Sequence, residues 1–143
     1  TILLDIGAGS IVDSGTVKDI IGENGVAAAY VTQITTAVNG VVYKAEMACI
    51  EVPAGSGVAA DIDLVTNSAS LAEDVEYDSS GTATVLIAAG GDWDDGLWRQ
   101  STAGADFATV PNAYLYLVNG TGANSGGTYS GGKFIIKLYG ASF

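Results

Sequence analysis

Hydrophobic and polar residues alternate with a period of two along much of the chain, which predicts β-strands rather than helices. The most regular stretch is residues 58–65. The positions expected to point inward are Val58, Ala60, Ile62 and Leu64. Asp61 and Asp63 fall on the opposite side of the same strand, and we expect both to face solvent.

A β-hairpin is predicted within residues 30–49, where Asn39-Gly40 separates two apolar-rich runs. Asn-Gly favours a type I′ turn because both residues tolerate positive φ angles. A two-residue loop also fixes the register of the strands. The expected cross-strand pairs are Val38 with Val41, Ile34 with Ala45, and Tyr30 with Cys49. The expected core-facing positions of the second strand are Val41, Tyr43, Ala45, Met47 and Cys49. The expected solvent-facing positions of the hairpin are Gln33, Thr35, Lys44 and Glu46. The Cys49 thiol is then a buried structural group rather than a nucleophile.

Three further stretches are predicted strands. Residues 82–89 form a β-rich run, whereas residues 113–118 and 133–139 are apolar on both faces or nearly so. Strands of the second kind are central in a sheet or covered by another layer. Residues 119–132 contain six glycines and are expected to form an exposed, mobile loop with Tyr129 as its one apolar anchor.

Helical signals are scarce. Thr16 and Asp19 could cap a short turn that Gly22 ends, and Ser70 with Glu73 offers a similar option. We therefore expect an all-β chain, built as an antiparallel β-sandwich or jelly roll with at most one or two short helices. Residues 1–143 form a single domain, in which residues 1–13 are either an extended N-terminal arm or the first strand of the sheet.

Composition and charge exclude several classes of function. The 143 residues include 16 acidic and 5 basic side chains, a single cysteine and no histidine, for a formal net charge of −11. Zinc fingers, haem sites and His-based triads need residues that the chain lacks. Phosphate backbones would repel this charge, so no nucleic-acid partner is expected. No apolar run approaches the ~20 residues that span a bilayer, so no membrane partner is expected either.

The acidic turn that contains Asp92, Asp94 and Asp95 is a candidate calcium site, since carboxylates spaced between glycine hinges supply the oxygen ligands that calcium prefers. However, Ala103 stands where an EF-hand loop would place its bidentate glutamate. The alternative is a solvated acidic turn between strands. We adopt that interpretation and expect no resident metal and no cofactor.

Two further kinds of site are considered, a sugar-binding platform and an enzyme active site. Trp93 and Trp98 could form an aromatic platform for a sugar ring, or one or both could close the end of the sandwich. The acidic side chains mostly occupy predicted surface positions, so none has the apolar surroundings that a catalytic acid needs. No serine or threonine has an activating base in the pattern. We expect no enzymatic activity and no catalytic residue.

Two regions of the chain resemble small virion proteins of tailed bacteriophages, particularly the marine and cyanobacterial podovirus-like ones. The first region runs from Tyr30 to Pro53 and is followed by Asp61 to Leu64. The second runs from Asn112 to Val118 and is followed by Thr128 to Gly140. The resemblance implies a β-sandwich on the outer surface of an icosahedral head. There it would bind the major capsid protein and copies of itself, and would stabilise the head as a decoration or cement protein.

The resemblance directs attention to aromatic side chains as interface residues. The candidates are Trp93, Trp98, Tyr114, Tyr116, Tyr129, Phe134 and Tyr139. If residues 1–13 are an arm, they could add a strand to a neighbouring subunit. Two alternatives stay open: a carbohydrate-binding or adhesion module that uses Trp93 and Trp98, and a tail or neck component of the same virion.

Overall fold

A computed structural model describes residues 1–102, 107, 110–120 and 124–142. The described residues form ten strands and one four-residue helical turn. The elements are β1 (Ile2–Asp5), β2 (Ile11–Asp13), β3 (Ile20–Glu23), β4 (Thr32–Gln33), α1 (Thr36–Asn39), β5 (Val41–Gly55), β6 (Ile62–Asn67), β7 (Ala83–Ile87), β8 (Trp98–Gln100), β9 (Tyr114–Asn119) and β10 (Gly127–Ala141). The all-β prediction is confirmed.

All the strand pairings are antiparallel. They follow the order β7-β6-β9-β3-β2-β10-β5-β8, while β1 pairs with β10 and β4 pairs with β9. The sheet is nearly closed on itself, as in a sandwich or barrel-like fold. Its longest pairing joins β5 to β10, two strands of 15 residues each. This ribbon, extended by β1 on one side and β8 on the other, forms one wall of the molecule.

The main core fills the space inside this wall. Met47, Cys49, Phe134 and Ile136 point into it from the central ribbon and are fully buried. A smaller core lies on the other side of β9, where Tyr116 and Val118 pack with their neighbours under residues 69–77. Strand β9 is therefore buried on both faces, as its continuous apolar sequence predicts.

The predicted hairpin at Asn39-Gly40 is wrong. Residues 36–39 form a helical turn capped by Thr35, whose side chain accepts a hydrogen bond from the Val38 amide. The Asn39 side chain accepts one from the Thr35 amide, and Gly40 ends the turn at a φ of 65°. The residues that suit a type I′ turn also suit a helix C-terminus, because both need a positive φ. The residues before this turn pair with β9 instead of with β5.

The predicted partner strand of β5 is therefore wrong, and the predicted orientation of its side chains is wrong in part. Strand β5 pairs with β10 and β8, and Cys49 lies opposite Phe134 rather than Tyr30. Ala45, Met47 and Cys49 are buried as predicted. Val41 and Tyr43 are exposed instead, and Val42 is buried in their place. An irregularity in the β5–β10 register between positions 42 and 44 shifts the alternation, so one pattern does not hold along the whole strand.

Neither predicted helix is present. Residues 16–19 form a turn in which Lys18 has a φ of 76°, and Ile20 and Ile21 belong to β3. Residues 70–73 contain no helix either. The two isoleucines point into different cores, one on each face of the strand, and this burial outweighs a local capping signal.

The N-terminal segment and both ends of the glycine-rich segment belong to the sheet, while residues 121–123 of the predicted loop lie outside the described residues. β1 pairs with β10 over Ile2–Asp5, so the segment forms strands of its own sheet rather than a free arm. The predicted loop over 119–132 is too long, because β9 continues to Asn119 and β10 begins at Gly127. Tyr129 is buried and donates a hydrogen bond to the Ala59 carbonyl. The tight packing around Gly131 and Gly132 leaves no room for a Cβ there.

Candidate protein-binding face

An apolar row crosses the outside of the wall formed by β1, β10, β5 and β8. Leu3 lies opposite Ile135, Ile135 opposite Ala48, and Ala48 opposite Trp98. The row one residue further along the strands, which contains Met47, points into the core instead, because side chains alternate along each strand. Leu3 is 69% exposed and Trp98 50% exposed. These four residues are called the apolar row below.

Charged side chains lie on both sides of the apolar row. Toward one end of the strands, Lys137 lies opposite Glu46. The Glu46 carboxylate also pairs with Lys44 at 2.6 Å and accepts a hydrogen bond from the Tyr139 hydroxyl at 2.6 Å. Toward the other end, Lys133 lies between two carboxylates. It pairs with Glu51 across the strands and lies 3.7 Å from Asp5.

These contacts keep the Glu46 and Glu51 carboxylates ionised. Hydrogen bonds from Lys44 and Tyr139 lower the pKa of Glu46 below its ordinary value. The hydrogen bond from Lys133 likewise lowers the pKa of Glu51, and the Gly132 amide adds to the effect. The hydrogen bonds to Glu46 and Glu51 raise the pKa values of Lys44 and Lys133, respectively, and hold both lysines in their charged form. The apolar row and its flanking charges are called the outer face below.

The outer face is electrically balanced, although the chain as a whole is strongly acidic. Its three lysines are Lys44, Lys133 and Lys137, and its three carboxylates are Asp5, Glu46 and Glu51. With these set aside, 13 of the 16 acidic and 2 of the 5 basic residues belong to the rest of the chain, which therefore has the entire net charge of −11. Exposed hydrophobic side chains on a neutral patch are typical of a protein-binding surface.

The predicted aromatic interface residues divide between core and surface. Trp93, Tyr116, Tyr129 and Phe134 are at most 2% exposed, so they are core residues and not interface residues. The sequence did not separate them because inward and outward aromatics occupy similar apolar runs. Trp98 lies on the outer face, and Tyr139 lies at its edge. Tyr114 is partly buried and packs against Tyr30, with 4.8 Å between the ring centroids.

The sugar platform predicted from the two tryptophans does not form. Trp93 is fully buried, and its indole Nε1 donates a hydrogen bond to the Ile62 carbonyl at 2.8 Å. Its ring meets Phe134 edge to face at 5.5 Å, and the Arg99 guanidinium lies 4.8 Å from the ring centroid. A buried ring cannot stack on a sugar. Trp93 therefore closes the core, which is the alternative stated from the sequence.

The acidic turn after β7 shows no metal-binding arrangement. Within the part of the chain that the structure describes, no group of three His, Cys, Asp or Glu residues is placed to hold a metal ion. Of the three candidate ligands, Asp92, Asp94 and Asp95, the last accepts a hydrogen bond from the Val52 amide at 3.1 Å. Asp95 therefore fastens the turn to β5.

The single thiol lies in an apolar environment. Cys49 is fully buried in the main core, and burial raises the pKa of its thiol. A raised pKa keeps sulfur protonated, and only the thiolate is a good nucleophile. The prediction of a buried structural thiol is confirmed.

The pair Asp61 and Asp63 is less exposed than its alternating pattern predicts. Asp61 is buried at 3% exposure, Ala59 rather than Ala60 is buried, and the strand begins only at Ile62. Asp63 is partly buried and accepts a hydrogen bond from the Ala89 amide at 2.6 Å. The solvent-facing prediction is wrong for Asp61 because this residue precedes β6 and lies against Gly120, at the end of β9.

Asp63→Asn is expected to weaken the pH dependence of stability. Burial raises the pKa of the Asp63 carboxyl, and the nearby Asp61 adds to the effect. The unfolded chain therefore ionises first. Asp63 therefore makes its full contribution to the free energy of unfolding below the unfolded pKa of about 3.9. This contribution is lost as the pH rises through the pKa of the folded state. Urea unfolding at several pH values should show that Asp63→Asn loses less unfolding free energy than wild type as the pH rises. Asp94→Asn, at an exposed position, is the matched control, and an equal loss in Asp63→Asn and wild type would contradict the assignment.

A buried carboxylate on β2 joins four parts of the chain, and no local pattern in the sequence marks it. Asp13 is 3% exposed. One of its oxygens accepts hydrogen bonds from the Gly15 amide at 3.0 Å and the Asn119 side chain at 3.1 Å. The other accepts them from the Ala59 amide at 2.6 Å and the Asn124 side chain at 3.0 Å. These contacts fix the start of β10 and the end of β9 to β2.

Comparisons with known proteins identify no relative. No family model, no curated protein and no solved structure matches this chain. Among the residues that the structure describes, no helix is long and apolar enough to cross a membrane.

Proposed function

We propose that this chain is a structural protein of a tailed-phage virion, which binds the outer surface of the icosahedral head and bridges major capsid protein subunits. The observation that supports an assembly role is the outer face, a neutral surface with exposed Leu3 and Trp98 on an otherwise acidic body. The resemblance of residues 30–53, 61–64, 112–118 and 128–140 to phage virion proteins supports the choice of a head.

Such a protein acts through binding equilibria rather than through catalysis. A ligand that binds the assembled lattice more tightly than the separate subunits stabilises the assembly by that difference in binding free energy. A net charge of −11 keeps many copies soluble and repels them from packaged DNA. The outer face lacks this charge, so it can approach a protein surface closely.

The sugar-binding alternative loses its main support. It needs two exposed tryptophans, and of these only Trp98 is at the surface. A single exposed aromatic ring on a neutral face is equally typical of a protein interface, where tryptophan is enriched. We therefore keep the assembly role as the proposed function.

The test is the number of copies in purified particles of the phage that encodes the chain. A symmetric head lattice repeats its binding site many times, so densitometry against the major capsid protein should give on the order of hundreds of copies. Heads that lack the chain should dissociate at a lower temperature, and added protein should restore the wild-type value. About a dozen copies or fewer would indicate a tail or neck component and contradict the head assignment.

A further inference from the structure

We propose that the outer face binds a second copy of the same chain, across a two-fold axis that runs parallel to β5 and β10. This inference goes beyond the proposed function and does not rest on it, since it concerns the isolated protein, in which no capsid protein competes for the outer face. It follows from the order of residues on the outer face, which is complementary to itself.

The strand order makes a two-fold arrangement possible. The wall contains four strands in the order β1, β10, β5 and β8. An axis that lies above the sheet, midway between β10 and β5, places β10 of one copy over β5 of the other. The same rotation places β1 over β8. Two sheets with nearly aligned strands form the packing that is usual in β-sandwiches.

The apolar row becomes self-complementary under this rotation. Ile135 lies over Ala48 of the second copy, so a bulky side chain meets a small one. Leu3 lies over Trp98, and both are large and at least half exposed in the single chain. Each contact occurs twice, as a two-fold interface requires. The apolar row of one copy thus covers that of the other along its full length.

The charged rows are complementary under the same rotation. Lys137 on β10 comes over Glu46 on β5 of the second copy, and Lys133 comes over Glu51. Each of these two lysines therefore meets a glutamate, while Lys44 comes over the ring of Tyr139. The pairing depends on lysines and glutamates that lie on adjacent central strands, which the axis exchanges.

The charge of the remaining surface favours this face over any other for self-association. All of the net charge of −11 lies outside the outer face, so two copies repel each other in other orientations. The balanced outer face allows two copies to approach without that repulsion. A partner of opposite charge would favour the acidic body instead, so the second copy is the occupant that best fits the outer face.

The size of the face sets the expected strength. Strands about 4.8 Å apart, over the seven residues of β10 from Lys133 to Tyr139, give a projected area of roughly 400 Å² per copy. This is below the roughly 800 Å² per partner of a standard stable interface. We therefore expect a dimer that forms and dissociates with chain concentration, at micromolar concentration or above.

The first experiment measures mass against concentration by sedimentation equilibrium. Wild type should shift from monomer to dimer as concentration rises. Trp98→Glu and Leu3→Glu should each weaken dimerisation by at least about tenfold, because each places a charge at the centre of a desolvated contact. Val85→Glu, at an exposed position on β7 outside the outer face, should dimerise like wild type. Circular dichroism checks that each variant is folded.

The second experiment tests the axis itself by charge exchange. Lys137→Glu alone brings carboxylates over Glu46, and Glu46→Lys alone brings ammonium groups over Lys137, so each variant should stay monomeric. In an equimolar mixture, the two chains can pair with opposite charges at both sites. Mixing leaves the contacts within each chain unchanged. The mixture should therefore dimerise at concentrations where neither variant does.

Three results would overturn the inference. These are a wild-type chain that stays monomeric at millimolar concentration, a dimer that Trp98→Glu and Leu3→Glu leave unchanged, and a charge-exchange mixture that stays monomeric. None of them bears on the number of copies in a phage particle, so failure of the dimer and failure of the head assignment can be told apart.

Discussion

Replacement of Asp13 by alanine is expected to lower the free energy of unfolding by about 3–5 kcal/mol, a large fraction of the ordinary stability of a domain. The Asp13 carboxylate accepts four hydrogen bonds in a buried site. Its removal leaves two backbone amides and two side-chain amides without an acceptor. A buried donor that loses its partner also loses the solvation that it had in the unfolded chain.

Asp13→Asn separates the loss of hydrogen bonds from the loss of volume. The amide has nearly the same shape, but it offers one acceptor oxygen, so some of the four donors keep a partner. We expect a smaller loss of stability than in Asp13→Ala. Asp78→Ala is the matched control, because Asp78 is an exposed carboxylate with a single ion pair to Lys18. Urea unfolding followed by tryptophan fluorescence provides the measurement.

The order of the three variants is the decisive result. Asp13→Ala should unfold at the lowest urea concentration, Asp13→Asn at an intermediate one, and Asp78→Ala close to wild type. If Asp13→Ala and Asp78→Ala unfold at the same urea concentration, the four hydrogen bonds add nothing to the free energy of unfolding. The assignment of Asp13 as a structural centre is then wrong.

The existence of strands could be predicted from the sequence, because a strand needs only a local alternation or an apolar run. Runs at residues 82–89, 113–118 and 133–139 contain β7, all but the last residue of β9 and much of β10. Burial of β9 on both faces was also predictable, since its sequence has no polar side. Short-range periodicity is thus sufficient for the fold class of this chain.

Strand partners could not be predicted in the same way. Asn39-Gly40 fits two local structures, a hairpin turn and a helix C-terminus, and the choice depends on distant residues. Strand β5 pairs with β10, which follows it by more than 70 residues. This long ribbon offers far more pairing than a local hairpin, and so the local signal was misleading.

The outer face also arises from distant pairing. Leu3, Ala48, Trp98 and Ile135 come from four separate parts of the chain, and only the register of the folded sheet aligns them. The sequence did predict Trp98 and Tyr139 as interface candidates, but as part of a set that included four core aromatics. Similarly, the donors to Asp13 lie as many as 111 positions away, so no spacing in the sequence reveals them.

The distribution of charge connects the fold to the proposed assembly. The sequence predicts that most acidic residues lie in turns and on solvent-facing strand positions. The structure adds that the outer face is balanced, because three of the five basic residues lie there. Such an uneven distribution favours contacts through one surface and disfavours unspecific association through the rest.

Replacement of Trp93 by alanine is expected to lower the free energy of unfolding by about 3–5 kcal/mol, as for other large aromatic residues removed from cores. The change empties a fully buried site, removes the hydrogen bond to the Ile62 carbonyl and ends the edge-to-face contact with Phe134. Trp93→Phe keeps part of the ring volume but not the indole donor, so we expect an intermediate loss.

Trp98→Ala is the matched control for the same residue type at an exposed position. We expect little change in its unfolding when the chain is dilute enough to be monomeric, because the side chain is already half in water. Since each substitution removes one of the two tryptophans and so changes the fluorescence signal, far-UV circular dichroism should follow the urea transitions. Equal effects of Trp93→Ala and Trp98→Ala would mean that Trp93 is not a core residue, and would restore the paired-tryptophan platform as a candidate sugar site. A large difference, with Trp93→Ala far less stable, leaves Trp98 alone as the surface tryptophan, on the outer face.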